Sequence, residues 1–179
     1  KSKVLHGLGQ NFYVYDGKLN VFPHFSNTIF SITPDSTTQR YHFYFGDYHF
    51  PDDEIFQKKE YNSQAIMSEI MNNSYVRLMA PYETDEHLLV KYYVKRQVLL
   101  GIYNKKKHTA INLDPEMVID SLHLGTFPVP IGFNHNEFIG QLTLDIQQKN
   151  RIMIPELQKL MADYSEDSNP ILIFYSLRS

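Results

Sequence analysis

Cysteine is missing altogether from these 179 residues, and so is tryptophan. Without thiols there is no disulfide framework, no thiolate nucleophile and no thiolate metal site, while the redox compartment stays open because Cys-free proteins occur in either kind. No apolar run approaches the roughly 18 residues that a membrane-spanning helix needs. An excess of positive charge is missing too. The 17 Lys and Arg against 20 Asp and Glu leave a formal net charge of -3, which is not the footprint of a chain that binds nucleic acid or an anionic membrane surface. An initiating Met is also absent, so either a leader has been removed or the sequence starts inside a longer protein.

The familiar signatures of chemistry are absent as well. The histidines, at positions 6, 24, 42, 49, 87, 108, 123 and 135, form neither H-E-x-x-H nor H-x-H, so no sequence-local metal site is expected. His42 alternates with Tyr41, Phe43 and Phe45 and reads as a strand residue on the polar face. His24 and His49 fall in loops beside aromatics, where a solvated histidine is the plain reading. Gly7 and Gly9 make G-x-G, but position 12 is Phe12 and no helix follows, which excludes a dinucleotide loop. There is no G-x-S-x-G elbow, although a dispersed triad stays open. Asp52, Asp53 and Glu54 fit the electrostatics of a helix N-terminus, and Glu83, Asp85 and Glu86 lie at a turn without the ordered oxygen ligands of a calcium loop. The run Lys105-Lys106-Lys107 connects two predicted strands, where solvated lysines discourage edge pairing. No cofactor is implied.

What the sequence does have is aromatic residues, 13 Tyr and 12 Phe, set in short runs rather than at helical spacing. Such runs favour strands. Phe12 to Tyr15 is a first strand, ended by the hairpin signal Asp16-Gly17. Lys18 to Phe22 is a second, Pro23 to Asn27 a loop, Thr28 to Ile32 a third strand, and Gln39 to Phe45 closes a four-stranded meander. A second meander follows in Tyr75 to Ala80, His87 to Tyr93, Gln97 to Tyr103 and His108 to Leu113, with turns at Glu83 to Glu86, Lys95-Arg96 and Asn104 to Lys107. A third unit shows only three strands, Pro130 to Phe133, Glu137 to Leu144 and Ile171 to Leu177. A helix interrupts it, with Pro155 in its first turn and Leu157, Leu160, Met161 and Tyr164 on one face. Between the first two units, Gly46 to Ser74 reads as an insert with a helix between about Asp52 and Met71. The fold class is therefore all-β, a single domain over 1–179 with blade-like units at about 11–45, 75–113 and 129–177 and a helical insert at about 46–74. Successive meanders without β-α-β alternation imply a partial propeller.

The stretches "NFYVYDGKLNVFPHFSNTIFSI", "RYHFYFGDYHFPDDEIF" and "DSNPILIFYSLRS" resemble the C-terminal half of the six-bladed β-propeller proteins common in Bacteroidetes, many of them envelope lipoproteins of unknown function. The resemblance covers nearly the whole chain and implies the ring architecture and a place in the cell envelope, periplasmic or at the surface. It supplies no catalytic residues, and the lipid-bearing Cys of the family's leader is not in this sequence.

The function expected on this reading is non-catalytic binding of a ligand or partner, a carbohydrate, a peptide or a protein. The alternatives are a glycan-active hydrolase or lyase on the same scaffold, or a structural subunit without a pocket. Propellers bind on the face carrying the loops between second and third strands and the connections between blades. Here these are Pro23 to Asn27, Lys95-Arg96, Gly46 to Ser74 and Asp114 to Pro128, so the candidate contacts are His24, Phe25, Tyr48, His49, Arg96 and His123. About three blades cannot close a ring of six. The chain is thus expected either to belong to a longer propeller or to form a homodimer, the Lys3 to His6 strand of each copy completing the last blade of the other.

Overall fold

The computed structural model describes residues 11–23, 26–51, 64–65, 68, 72–95, 97–115, 127–142, 155–162, 165 and 169–177. They form eleven strands in three antiparallel sheets. The first sheet contains β1 (Phe12–Tyr15), β2 (Lys18–Val21), β3 (Thr28–Ile32) and β4 (Thr37–His42) in that spatial order. The second contains β5 (Arg77–Glu83), β6 (His87–Val94), β7 (Gln97–Asn104) and β8 (Thr109–Leu113), again in chain order. The third holds β9 (Pro130–Phe133), β10 (Phe138–Leu142) and β11 (Ile171–Tyr175), with β10 in the middle. A helix, α1 (Pro155–Ala162), begins at the expected proline, between β10 and β11. The helix expected between Asp52 and Met71 falls mainly outside the described residues, though Gln64, Ala65, Ser68 and Asn72 are helical. The Lys3 to His6 strand lies outside them as well.

By its contacts the chain divides into two compact units, 1–81 with 90–99 and 82–89 with 100–179. In the first unit the β1–β2 hairpin turns on Asp16 and Gly17, at φ of 50° and 68°. Two successive left-handed residues match the twist of the flanking strands, and glycine takes that conformation without penalty. The turn fixes the register Tyr15↔Lys18, Val14↔Leu19, Tyr13↔Asn20 and Phe12↔Val21. Because side chains alternate with period two, this register decides which set is buried. Tyr13, Asn20 and Ser31 face inward, and the Ser31 hydroxyl donates to Asn20 Oδ1 across 2.6 Å. Phe12, Val14 and Leu19 face outward and are exposed. The unit's core is made of Tyr13, Phe22, Ile29, Phe50, Val76, Val90, Tyr92 and Val94.

The largest departures of strand limits from the sequence reading are in β4 and β5. β4 ends at His42 rather than Phe45, because its partner β3 begins at Thr28, and past Phe43 N–H to Asn27 C=O no further rung exists. The freed aromatics pack instead, Phe43 on Phe45 and Phe45 on Tyr92, with ring centroids 6.1 and 5.2 Å apart. β5 runs from Arg77 to Glu83, two residues later at its start and three at its end than expected. Pro81 inside it lacks an N–H to donate, and the strand tolerates this because it is the edge of its sheet.

The second unit is built around Leu89, Leu100, Ile102 and Phe138, with Tyr82, Leu113, Phe127, Val129, Phe133, Tyr175 and Leu177 packed against them. Phe138 lies opposite Phe133 on one neighbouring strand and Tyr175 on the other. Tyr175 donates its hydroxyl to the carbonyl of Pro128 at 2.6 Å, and burial pushes that phenol well above its ordinary titration range, with Tyr82 adding to the effect. Pro128 can approach β10 because residue 140 is glycine. A Cβ there would meet Pro128 Cβ at 2.9 Å and Tyr175 Cε1 at 3.2 Å. Gly140→Ala is therefore expected to lower stability by about 1–3 kcal/mol through overpacking. Chemical denaturation should show a lower midpoint at unchanged slope.

Candidate functional site

Three connections meet in the first unit: Asn27 at the end of the β2–β3 loop, the segment 43–50 after β4, and Lys95 in the β6–β7 turn. The organising residue is Asn27, which is buried. Its side-chain amide imitates a strand neighbour of Phe50, with Nδ2 donating to the Phe50 carbonyl at 2.9 Å and Oδ1 accepting the Phe50 N–H at 3.4 Å. That double contact fixes which end of the amide is which. The second Nδ2 hydrogen faces His49 Nε2 at 3.0 Å. His49 Nε2 must then accept, which puts the imidazole proton on Nδ1. The Nδ1 atom is buried and has no hydrogen-bond partner among the described residues. Buried donors are nearly always paired, so one that is not invites a reason.

Around His49 stand two further rings. His42 lies 5.5 Å away and Tyr44 5.8 Å, centroid to centroid. His42 is anchored by a 2.9 Å hydrogen bond between Nδ1 and Thr28 Oγ1. Tyr44 is 83% exposed, an unusual state for a large aromatic residue between two packed phenylalanines. Next along the chain, the short 3-10 turn Gly46–Tyr48 places the Tyr48 ring under the Lys95 ammonium, 4.2 Å from its centroid, and Lys95 also donates to the Tyr48 hydroxyl. The cluster combines a flat exposed ring, an imidazole and a cation held on an aromatic face. Among the described residues, no three His, Asp or Glu side chains gather as a metal site would require.

Of the residues singled out from sequence, Tyr48 and His49 lie in this cluster, while His24, Phe25, Arg96 and His123 lie outside the described residues. His49 is not the solvated loop residue its surroundings implied. It is partly buried and tied to Asn27. Sequence reasoning passed over Asn27 and Tyr44 and read His42 only as a polar-face strand residue. The i, i+2 pair His42 and Tyr44 carried a signal, since it marks the side opposite Tyr41, Phe43 and Phe45, and Gly46 close behind it marks where strand pairing must stop.

The acidic turn of the second unit has a different purpose. Glu83 is fully buried and pairs with Lys105 at 2.7 Å, and Lys105 donates further to the Thr84 carbonyl at 2.6 Å. Lys106 pairs with Glu86 at the surface and, through a hydrogen bond and charge, holds that carboxyl below its ordinary value. The lysine run is thus only partly a solvated turn, because the β5–β6 and β7–β8 turns lie at the same end of the sheet and oppose acid to base. Breaking such a buried pair by removing one partner strands the other charge. Beside the pair, Asn104 Oδ1 accepts the N–H groups of Lys106 and Lys107, so its Nδ2 is left to donate to His87 Nε2 at 3.1 Å. Burial keeps the proton affinity of His87 below its ordinary value of 6.5, with Lys105 and Lys106 adding to the effect and Glu86 opposing it.

Two outcomes follow. Below 6.5 the unfolded chain protonates His87 more readily than the native one, so the unfolded state binds more protons and stability falls as pH falls. Melting temperatures measured downward from pH 7.5 should drop more steeply for the wild type than for His87→Gln. Asn27→Ala should lower stability by about 1–3 kcal/mol for each Phe50 backbone group left unpaired. Denaturant melts would measure the loss, and the His49 ring resonances should broaden as the imidazole loses its anchor.

Among solved structures, the crystal structure at 2.60 Å of a protein described as "Putative exported protein" from Bacteroides fragilis NCTC 9343 is similar in fold, with a TM-score of 0.75 at 18% identity. The similarity covers 94% of this chain and 50% of that one, so this chain spans about half the length of the protein it matches. No curated protein matches it, and no helix among the described residues is long and apolar enough to cross a membrane. The family model described as "Domain of unknown function (DUF4934)" matches residues 1–176, and the chain belongs to that family.

Proposed function

We propose that this chain is a non-catalytic recognition module of the bacterial cell envelope, built as part of a β-propeller, and that it binds its ligand at the Tyr44–His49 cluster. The observation that carries the reading is the largely exposed Tyr44 ring standing beside the His49 imidazole, with His42 on that imidazole's other side. Such a ring suits a ligand with a flat, CH-rich face. A pyranose offers one, its face laid on the tyrosine. Support for the architecture comes from three consecutive antiparallel meanders of four, four and three strands, the first two with the strand count of a propeller blade. Support for the location comes from the Bacteroides fragilis neighbour, described as exported.

A glycan array probed with the wild type and with Tyr44→Ala tests the reading. Tyr44 touches solvent over most of its surface, so its truncation should leave the melting temperature nearly unchanged. It should weaken any array hit about tenfold or more, the effect of losing roughly 1.4 kcal/mol of contact. An array without hits, or hits that Tyr44→Ala retains at full strength, would reject the carbohydrate site.

A further inference from the structure

Lys95 is an exposed cation held in one place. It lies in the β6–β7 turn at φ of 48°, a left-handed conformation that glycine or asparagine adopts more readily than lysine. Its ammonium stands 4.2 Å from the centre of the Tyr48 ring and donates to the Tyr48 hydroxyl. A cation on the face of a tyrosine loses much of the freedom of a lysine side chain. An ammonium has three N–H donors. Among the described residues Lys95 uses one, on that hydroxyl, and meets no carboxylate. The segment that carries Tyr48 also carries Tyr44, and both belong to the same compact unit as Lys95. Tyr48 N–H donates back to the Phe45 carbonyl at 3.2 Å, and Phe45 packs on Tyr92 of β6. With a rise of about 2 Å per residue in a 3-10 turn and about 3.8 Å between neighbouring Cα atoms, the Cα atoms of Tyr44 and Tyr48 lie within about 10 Å of each other. Neighbouring units of one oligosaccharide can span that distance. The acid of the turn is Asp47, which at three residues per turn leaves it about 120° round from Tyr48.

Building on the sugar reading of Tyr44, on which this step rests, we infer that the ligand is an acidic glycan. One sugar ring lies on Tyr44 while Lys95 takes the carboxylate or sulfate of a neighbouring unit. Both groups are oxyanions, whose hydrogen bonds to an ammonium are charge-assisted. The chain as a whole is weakly acidic, with a formal net charge of -3, so attraction of an anion has to come from a placed cation rather than from the overall field. Lys95 is exposed, and the pairing therefore adds a modest increment that salt weakens. Its effect is selectivity: a neutral glycan leaves the two remaining N–H donors to water, and an acidic one engages them.

Calorimetric titration with three probes tests this: oligogalacturonate, the same oligosaccharide with its carboxylates reduced to alcohols, and a sulfated galactan oligosaccharide. At low salt the wild type should bind an acidic probe about three- to fivefold more tightly than the neutral one, the effect of one exposed ion pair. Lys95→Gln should erase that preference and Lys95→Arg should keep it, both variants being folded by circular dichroism. Raising NaCl from about 0.01 to about 1 M, which shortens the Debye length from about 30 to about 3 Å, should erase it in the wild type. A preference for only one of the acidic probes supports the inference and identifies the group as carboxylate or sulfate. A wild type that binds the neutral probe as tightly as both acidic ones overturns the inference, as does a preference that survives Lys95→Gln. In either case the Tyr44 reading stands if Tyr44→Ala weakens binding of every probe. Full-strength binding by Tyr44→Ala removes the Tyr44 reading and this inference with it. No binding of any probe overturns the inference, while the glycan array decides the Tyr44 reading separately.

Discussion

The bond on which the first unit depends is the one Asn27 makes with the backbone of Phe50. Once β4 runs out of partner at His42, the chain has no ladder to follow, and its peptide groups must find other acceptors and donors or stay near water. The Asn27 amide supplies one donor and one acceptor in the geometry of a strand neighbour, so the segment 43–50 returns to the sheet instead of leaving it. Phe50 is thereby carried into the core, where it meets Tyr75 edge to face at 5.6 Å. The same amide, with both ends already assigned, dictates the tautomer of His49. One buried side chain therefore links strand termination, core packing and the hydrogen-bonding character of the candidate site.

A comparable economy holds in the second unit. Two hairpin turns at one end of the sheet bring Glu83 and Glu86 against Lys105 and Lys106. The inner pair is desolvated and hydrogen-bonded, the outer one exposed and screened, so they do not weigh equally. The inner pair brings charge close to His87, which is buried as an acceptor toward Asn104 and has no room for a second proton on Nε2. The sensitivity of this end of the sheet to acid is a property of the neutral imidazole, whose partner is a donor.

Most of the strand order was legible in the sequence because it rests on local signals: Asp16-Gly17 for the first hairpin, Lys95-Arg96 for the β6–β7 turn, and Pro155 for the start of α1. The limits that were misread depend on non-local facts. Nothing within Tyr41 to Phe45 announces that β3 starts too late to pair with it, and nothing within Val76 to Glu83 says that Pro81 lies on a sheet edge. The site was legible only in part for the same reason. His49 and Tyr48 stood out by type and position, whereas Asn27 looks like any polar residue at the end of a loop until Phe50, 23 residues away, is placed beside it. Lys105 read as a solvated turn residue because its partner Glu83 comes from another hairpin.

Alternation of polar and apolar residues establishes that a strand has two unlike faces, and it does not say which one the molecule covers with its own chain. In β1 to β3 the buried face carries the polar Asn20 and Ser31 beside Tyr13 and Ile29, and these groups can be buried because they satisfy one another: Ser31 donates to Asn20 Oδ1, and Asn20 Nδ2 donates to the Lys18 carbonyl. A polar inner face satisfied in this way loses little on burial, which removes the usual pressure to turn the apolar side inward. Phe12, Val14 and Leu19 are then left on the exposed side of the sheet. Inner polarity and outer hydrophobicity in this sheet are two results of a single register, the one set by the left-handed pair Asp16 and Gly17.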